Sequence, residues 1–355
     1  MKSILINGYF LCRKSTGIER YAFEITKRLD KICKPGEISI IIPNGNVLFP
    51  DYKNIKIIRH GKIIQNILWQ MFTLQWYLIT HRQYTVLEFG NTALPFAPGI
   101  VFLHDIYCEL FPNDFSNFID KIVRIYNRFQ YRLISKKAIK IFTVSEHSKK
   151  EIINNFNVKN KNIDIIYSSA DHMSEIIPDN SIFDDFPLLK DKSFFYSLGS
   201  LSKRKNIKWI IEYAKKNKDS LFAISGVSLP TVKIDELIQS VSENVIFLGY
   251  LEDGKIKALM NNCKAFLHSS YYEGFGLTPL EALSCGAQII ISNAACLPEI
   301  YGNTAHYINP FNTNVNLEEL LSFPVDKPDD ILDKYSYDKS TSKLYLQLIS
   351  ILSIK

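Results

Sequence analysis

Short apolar runs rich in β-branched residues alternate along this chain with segments of helical periodicity, and that alternation restricts its fold more than any other feature. Strands separated by helical crossovers pair in parallel, and a parallel sheet needs helices over its faces. Before residue 171 the runs are "SILIN", "EISIIIP", "YTVLEF", "GIVFLHD", "IKIFTVS" and "IDIIY". After residue 192 they are "SFFYSLG", "LFAISG", "NVIFLGY", "CKAFLHSS" and "AQIIISN". Between the two sets, Asp171 to Lys192 holds two prolines, several acids and no sustained period, which reads as a linker. At 355 residues the chain is also long for one core. The expectation is an α/β protein with an N-terminal domain over 1–171, a linker over 172–191 and a second domain over 192–334.

A helix is expected from Gly17 to Leu29, with Ile18, Tyr21, Ala22, Ile25 and Leu29 on one face. The tail "YSYDKSTSKLYLQLISIL" is another helix, offering Leu344, Leu346, Leu348, Ile349 and Leu352 for burial.

Several classes are disfavoured by composition. The six cysteines are widely spaced with no C-x-x-C pair, so neither a disulfide framework nor a zinc site is suggested and a reducing cytoplasm fits. "MKSILINGYF" has too short an apolar run for a signal peptide and reads as a buried strand. The greasiest stretch, Ile63 to Thr80, is interrupted by Gln65, Asn66, Gln70 and Gln75, whereas a membrane span needs about 20 largely apolar residues. The net charge of +6 conceals a division: 24 basic against 14 acidic residues up to Asp171, and 18 against 22 beyond it. A basic half and an acidic half imply separate binding tasks.

The segment "YYEGFGLTPLEALSCG" (Tyr271 to Gly286) is the richest in chemistry. Locally, Thr278 suits an N-cap, Pro279 the first helical position, Glu281 a capping box and Gly286 the C-terminal stop. Glu273 lies ahead of that helix, beside Gly274 and Gly276, whose backbone amides can approach an anion at a helix N-terminus. A carboxylate beside a phosphate site calls for a ligand that offers hydroxyls as well, which a nucleotide sugar does. A solvated loop acid and a helix cap are the plain readings of Glu273 and Glu281.

"EGFGLTPLEALSCG" resembles the E-x7-E signature of the large retaining GT-B glycosyltransferase family of group 1, which includes enzymes of bacterial capsule, O-antigen and lipopolysaccharide assembly. "SNAACLPEIYGNTAHYINP" resembles the segment that follows it in that family. "LGSLSKRKNI" is similar to the diphosphate-binding segment, its basic pair being Arg204 and Lys205. "LINGYFLCRKSTGIERYAFEI" resembles the N-terminal loop and first helix, with Gly17 near the donor phosphates, and "VFLHDIY" the segment carrying the active-site histidine, here His104. "FTVSEHSKKEI" is similar to the last N-domain strand and turn. Two departures stand out: Ser200 where the family often has a second arginine, and "IYSSADH" at the hinge.

The resemblance implies a GT-B architecture, two Rossmann-like domains facing across a cleft, with residues 335–355 returning as a helix onto the N-terminal domain. It implies a donor site built from Arg204, Lys205, Gly17, Gly274, Phe275, Gly276, Leu277, Thr278 and Glu281, with Glu273 and His104 as catalytic groups. Transfer of a hexose would retain anomeric configuration, with front-face attack and the leaving phosphate taking the acceptor proton. No cofactor and no obligatory metal are implied; no D-x-D motif ends a strand, and Asp184-Asp185 falls in the linker. GDP-mannose, UDP-glucose, UDP-N-acetylhexosamine and dTDP-rhamnose all remain open as donors. The expected partners are a nucleotide sugar and a growing, lipid-linked surface polysaccharide or lipopolysaccharide glycan as acceptor.

One further partner comes from the residues themselves. Lys121, Arg124, Arg128, Arg132 and Lys136 fall on one helical stripe beside Ile122, Tyr126, Phe129 and Leu133. Besides a solvated helix face, that pattern fits a peripheral dock on the anionic cytoplasmic face of a membrane, helped by some of Trp69, Phe72, Trp76 and Tyr77. A dehydrogenase would want G-x-G-x-x-G after the first strand, and a nucleic-acid binder aromatic residues interleaved with the basic ones; neither is present. A non-catalytic sugar-nucleotide-binding subunit is the alternative that sequence leaves standing.

Overall fold

The computed structural model describes residues 2–13, 16–45, 47, 49–62, 65–200, 202–226 and 241–353; Lys14 and Ser15 of the N-terminal loop, and Ile63 and Ile64 of the greasy stretch, lie outside them. The chain divides into two compact units. The first is Met1–Pro112, Lys121–Ser168 and Ser336–Lys355, the second Asn113–Asp120 and Ser169–Tyr335.

Among the described residues of the first unit, seven parallel strands form one sheet. They are β1 (Ser3–Asn7), β2 (Ile38–Asn44), β3 (Lys56–Lys62), β4 (Tyr84–Glu88), β5 (Ile100–Phe102), β6 (Lys140–Thr143) and β7 (Ile163–Ile165). Their order is β3-β2-β1-β4-β5-β6-β7. The chain leaves β1 towards β2 and later returns on the other side at β4, so the switch point lies between β1 and β4, where open α/β sheets bind ligands. The inner strands are largely apolar and buried; in β2 burial runs unbroken over Ile38–Ile42, with Ser39 the one polar residue among them. Strand β3 escaped the sequence reading because it is an edge strand whose Lys56, Arg59, His60 and Lys62 break the apolar pattern.

The second unit repeats the plan with β8 (Phe194–Leu198), β9 (Leu221–Ser225), β10 (Val245–Gly249), β11 (Ala265–His268), β12 (Ile289–Ser292) and β13 (His306–Ile308). Among the described residues these six run parallel in the order β10-β9-β8-β11-β12-β13, with the switch point between β8 and β11. Strand β13, three residues long at the edge, was also missed. Glycine is obligatory where β9 ends: a Cβ on Gly226 would stand 1.7 Å from the Gly199 carbonyl oxygen, so the exits of β8 and β9 could not approach.

The helix Gly17–Ile32 buries Tyr21, Ala22, Ile25 and Leu29 as expected, while Ile18 is half-exposed and Glu19 takes a buried place. The helix Tyr337–Ser353 packs with the first unit, as the resemblance implied. Arg28 fixes it there, reaching Asp338 at 3.0 Å and lying 5.1 Å over the Tyr337 ring. Leu344 and Leu348 are fully buried, but Leu346 points outward at 70 % exposure, because a single face of a helix cannot bury residues two apart.

The segment expected as a linker is instead folded into the second unit. His172, Met173, Ile182, Phe183 and Leu189 are buried, and the Lys257 ammonium donates to the carbonyls of Met173 and Ile176. Its turns are too short for any period to show: a 3-10 turn at Asp171–Glu175 and single helical turns at Ile182–Asp185 and Leu188–Asp191.

Leu344→Ala is expected to destabilise the first unit by about 2–5 kcal/mol, the cost of a fully buried leucine. Hydrogen exchange should then rise in β1–β7, with β8–β13 unchanged; equal acceleration in both sheets would contradict the assignment of the tail to the first unit.

Candidate active site

The turn after β8 carries "KRKN", and the loop after β11 carries "SSYYEGFG". Strand pairing puts these exits side by side, and hydrogen bonds join them. The Arg204 carbonyl accepts from the Ser270 hydroxyl at 2.8 Å and from the Tyr271 amide at 3.1 Å. Asn206, in the left-handed conformation at φ 55°, donates to the carbonyls of Ser269 at 3.1 Å and Pro310 at 2.7 Å. Asparagine tolerates that conformation better than most residues, which explains its place after the basic pair.

This stitching brings Arg204, Lys205 and Glu273 together. The Lys205 ammonium is 2.7 Å from Glu273 Oε1, and Arg204 is 3.9 Å from Oε2. His268, the last residue of β11, places Nε2 3.2 Å from the same Oε1, off the line of a hydrogen bond. Burial by itself raises the Glu273 carboxyl pKa, but the Lys205 and Arg204 charges overcome it and hold the group well below the usual carboxylate range. Burial lowers the His268 pKa against the pull of Glu273, with the two cations adding to the effect. The cluster is therefore two cations, one carboxylate and a neutral imidazole, an excess of positive charge at the switch point of the sheet. Because the Glu273 pKa is depressed on folding, its contribution to stability is complete above the ordinary carboxylate range and is lost as pH falls below it.

The rest of the segment differs from the local sequence reading. The helix runs Leu277–Ser284 with Gly276, at φ 78°, as its N-cap, so Thr278 lies within the first turn and no side chain caps. A Cβ on Gly276 would stand 2.5 Å from Leu297 Cδ2, and the Tyr301 hydroxyl donates to its carbonyl. Starting the helix there removes the capping-box geometry from Glu281, whose carboxylate instead meets His172 Nε2 at 3.1 Å. Thr278 Oγ1 lies 3.5 Å from His268 Nδ1. Gly274 is buried and Leu277 half-buried. The Phe275 side chain is buried against Tyr335, at 5.3 Å and near right angles, which leaves only its backbone for a ligand. Ser200 bonds its neighbour Ser202 at 3.2 Å. Sequence reasoning missed His268 and His172; a histidine ending a buried strand was the only available signal for the first.

Gly17 and His104 belong to the first unit. Gly17 opens the helix Gly17–Ile32, and a Cβ there would meet nothing within 4 Å, so packing does not require glycine. One turn on, Tyr21 packs edge-on against the His104 ring at 5.3 Å. His104 follows β5, and its Nε2 donates to the Phe89 carbonyl at 2.8 Å. Burial lowers its pKa, against that bond and the nearby Asp105 and Glu19 charges. A neutral ring with hydrogen on Nε2 leaves Nδ1 a lone pair, an acceptor for a hydroxyl rather than a donor to phosphate.

Two open parallel sheets of this strand order are the GT-B arrangement, here with a cationic cluster at the switch point of the second. Residues 179–322 match the model described as glycosyl transferases group 1. It is 23 % identical to the O-antigen chain mannosyltransferase RfbU of Salmonella typhimurium, across 94 % of this chain and 96 % of that one. It is 26 % identical to O-antigen chain mannosyltransferase B of Escherichia coli, across 83 % of each. Among solved structures it resembles sucrose-phosphate synthase from Thermosynechococcus elongatus, with a TM-score of 0.73 at 14 % identity over 99 % of this chain and 100 % of that chain.

Lys205→Ala is expected to destabilise the second unit by about 3 kcal/mol, because a buried carboxylate loses its nearest cation. Adding Glu273→Gln should restore most of that loss. A double variant as unstable as the sum of the two would contradict the pairing, and thermal unfolding with hydrogen exchange in β8–β13 reads the difference.

Proposed function

We propose that the protein is a retaining mannosyltransferase that takes its sugar from a nucleotide-diphosphate donor and adds it to a lipid-linked surface glycan of the O-antigen type. The observation that carries the reading is the cluster of Arg204, Lys205, Glu273 and His268 at the β8/β11 switch point. The names of the two mannosyltransferase relatives support the choice of sugar and glycan.

In this reading the donor diphosphate lies on Arg204 and Lys205, and charge-assisted hydrogen bonds of about 1.5–3 kcal/mol each favour its departure. Side-chain cations do the work that a divalent ion does elsewhere. The acceptor oxygen attacks C1 from the face that the phosphate leaves. The C1–O bond electrons pass to the phosphate, and the same phosphate takes the acceptor proton. Glu273, ionised throughout, stabilises positive charge at the sugar ring, and His104 Nδ1 accepts from a sugar hydroxyl. Backbone amides from Gly274 to Thr278 and the open end at Gly17 lie on the donor phosphates, and Glu281 takes the ribose hydroxyls once its bond to His172 is exchanged.

A peripheral contact with membrane belongs to the same proposal, with a change of emphasis. The basic stripe is partly spent internally: Arg128 grips Glu109 through two bonds, at 2.6 and 3.0 Å, and Arg124 donates to the Cys108 carbonyl. The stretch Asn66–Thr80 has no charged residue; Trp69 is buried and Tyr77 stacks on His81, whereas Phe72 and Trp76 are 70 % and 66 % exposed. The crossovers β3 to β4 and β5 to β6 run the same way along the sheet, so right-handed connections put this stretch and the helix Phe118–Lys137 on one face. Ile122, Ile125 and Phe129 are exposed on that helix. Apolar insertion assisted by lysines fits these residues better than a purely ionic dock. Among the described residues no helix is long and apolar enough to cross a membrane.

Glu273→Gln should lower turnover by at least about 100-fold without weakening nucleoside diphosphate binding, since Lys205 is released from its internal partner. Equal losses in both would restrict Glu273 to holding Lys205. Phe72→Ser with Trp76→Ser should abolish flotation with anionic vesicles in high salt, and unchanged flotation would remove the apolar surface from the proposal.

A further inference from the structure

The switch point of the first unit holds a second buried carboxylate, Glu88, which no step above uses. It ends β4 beside Asn7, which ends β1, and Asn7 Nδ2 donates to Glu88 Oε2 at 2.6 Å. The orientation of that amide is fixed, because Asn7 Oδ1 accepts from the Tyr9 amide at 3.1 Å. The carboxylate also turns back onto its own exit loop, its Oε1 3.6 Å from where a Cβ on Gly90 would stand, and the backbone amides of Phe89 and Gly90 favour its ionised form. Each of these three neighbours is a donor.

The same loop is what holds His104. The Phe89 carbonyl accepts from His104 Nε2, and Asn91 Oδ1 accepts from the His104 amide at 2.7 Å. Asn91 adopts the left-handed conformation at φ 51°, with its own amide bonded to the Phe102 carbonyl at 3.1 Å. The residues "EFGN" thus run from a carboxylate clamp to an imidazole mount within four positions.

We propose that ionised Glu88 is a positioning residue for His104: it clamps the β4 exit loop, and the loop sets the orientation of the imidazole. Protonating Glu88 removes the negative charge that strengthens its hydrogen bonds and occupies one of its lone-pair sites, so its hold on Asn7 and on the exit loop weakens and the loop loosens. Burial pushes the Glu88 carboxyl up to about 7, with Asn7 and the amides of Gly90 and Phe89 opposing, so the clamp opens and closes near neutral pH. The titratable group facing Glu88 from the helix Phe118–Lys137 is Tyr126, whose pKa burial raises, so it stays protonated in that range. Facing His104 are Glu19 and Tyr21 from the helix Gly17–Ile32 and its neighbour Asp105; burial also keeps Tyr21 protonated. The catalytic consequence rests on His104 contacting the donor, as proposed above. The clamp itself does not.

The test is a pH titration of the full chain labelled with 15N-histidine, following the ring nitrogens of His104 and assigning them with His104→Asn. The His104 Nε2–H should stay on the Phe89 carbonyl throughout, yet the ring resonances should shift with an inflection near 7, separate from the ring's own titration at lower pH. Glu88→Gln should abolish that inflection, and Asn7→Ala, which removes a bond favouring the ionised form, should move it to higher pH. Turnover of the wild-type protein at saturating donor should fall about tenfold from pH 8 to 6, following the ionised fraction of Glu88, while Glu88→Gln is slow and flat across that range. An absent inflection in the wild-type protein, or one that survives Glu88→Gln, overturns the clamp. If the variant does not fold, the wild-type titration and Asn7→Ala decide alone. An inflection that responds to both substitutions while turnover ignores pH upholds the clamp and removes His104 from the reaction.

Discussion

The contact between Lys205 and Glu273 is the interaction on which the second unit's chemistry depends. A buried carboxylate is costly, and it persists here because two cations from the neighbouring strand exit offset the cost of desolvation. The hydrogen bonds of Ser270, Tyr271 and Asn206 bring those cations into place, joining the β8 and β11 exits before any ligand arrives. The same two cations are the groups a diphosphate would engage. In the proposed function, donor binding exchanges the partner of Lys205, from an internal carboxylate to a phosphate, and frees Glu273 to face the sugar.

Each sheet carries a buried carboxylate at its switch point, and their surroundings drive them apart. Glu273 has two cations beside it and stays ionised far below neutrality. Glu88 has only neutral donors, so burial prevails and its proton is exchanged near neutral pH. Environment rather than residue type sets the two roles: a fixed charge in one unit, and a clamp that responds to acidity in the other.

The parallel architecture could be read from the apolar runs, because the buried strands are dominated by apolar residues on both faces and the helices between them keep one face. Edge strands could not: β3 carries a cation at every third position, Lys56, Arg59 and Lys62, and β13 is too short to leave a pattern. The segment 172–191 lacks periodicity because it is made of single turns, not because it is extended. At the site, Glu273, Arg204 and Lys205 were found as a set through their resemblance to a known signature. The partners of Glu281 and His104 were not. Glu281 reads locally as a cap until Gly276 is seen to start the helix two residues before Thr278, and only tertiary packing against Leu297 makes that glycine necessary. Glu88 gave no signal, since an acid at the end of an apolar run looks like the start of a solvated loop.

The most direct test of the account is release of nucleoside diphosphate from a panel of sugar nucleotides, in excess chelator, with and without lipid-linked glycans extracted in detergent. The account predicts release from a mannose donor, stimulated by the extract and unaffected by the chelator. Release that requires a divalent ion would contradict the role given to Arg204 and Lys205. Release from a different donor alone would overturn the assignment of the sugar, and no release from any donor in the presence of the extract would contradict transfer itself.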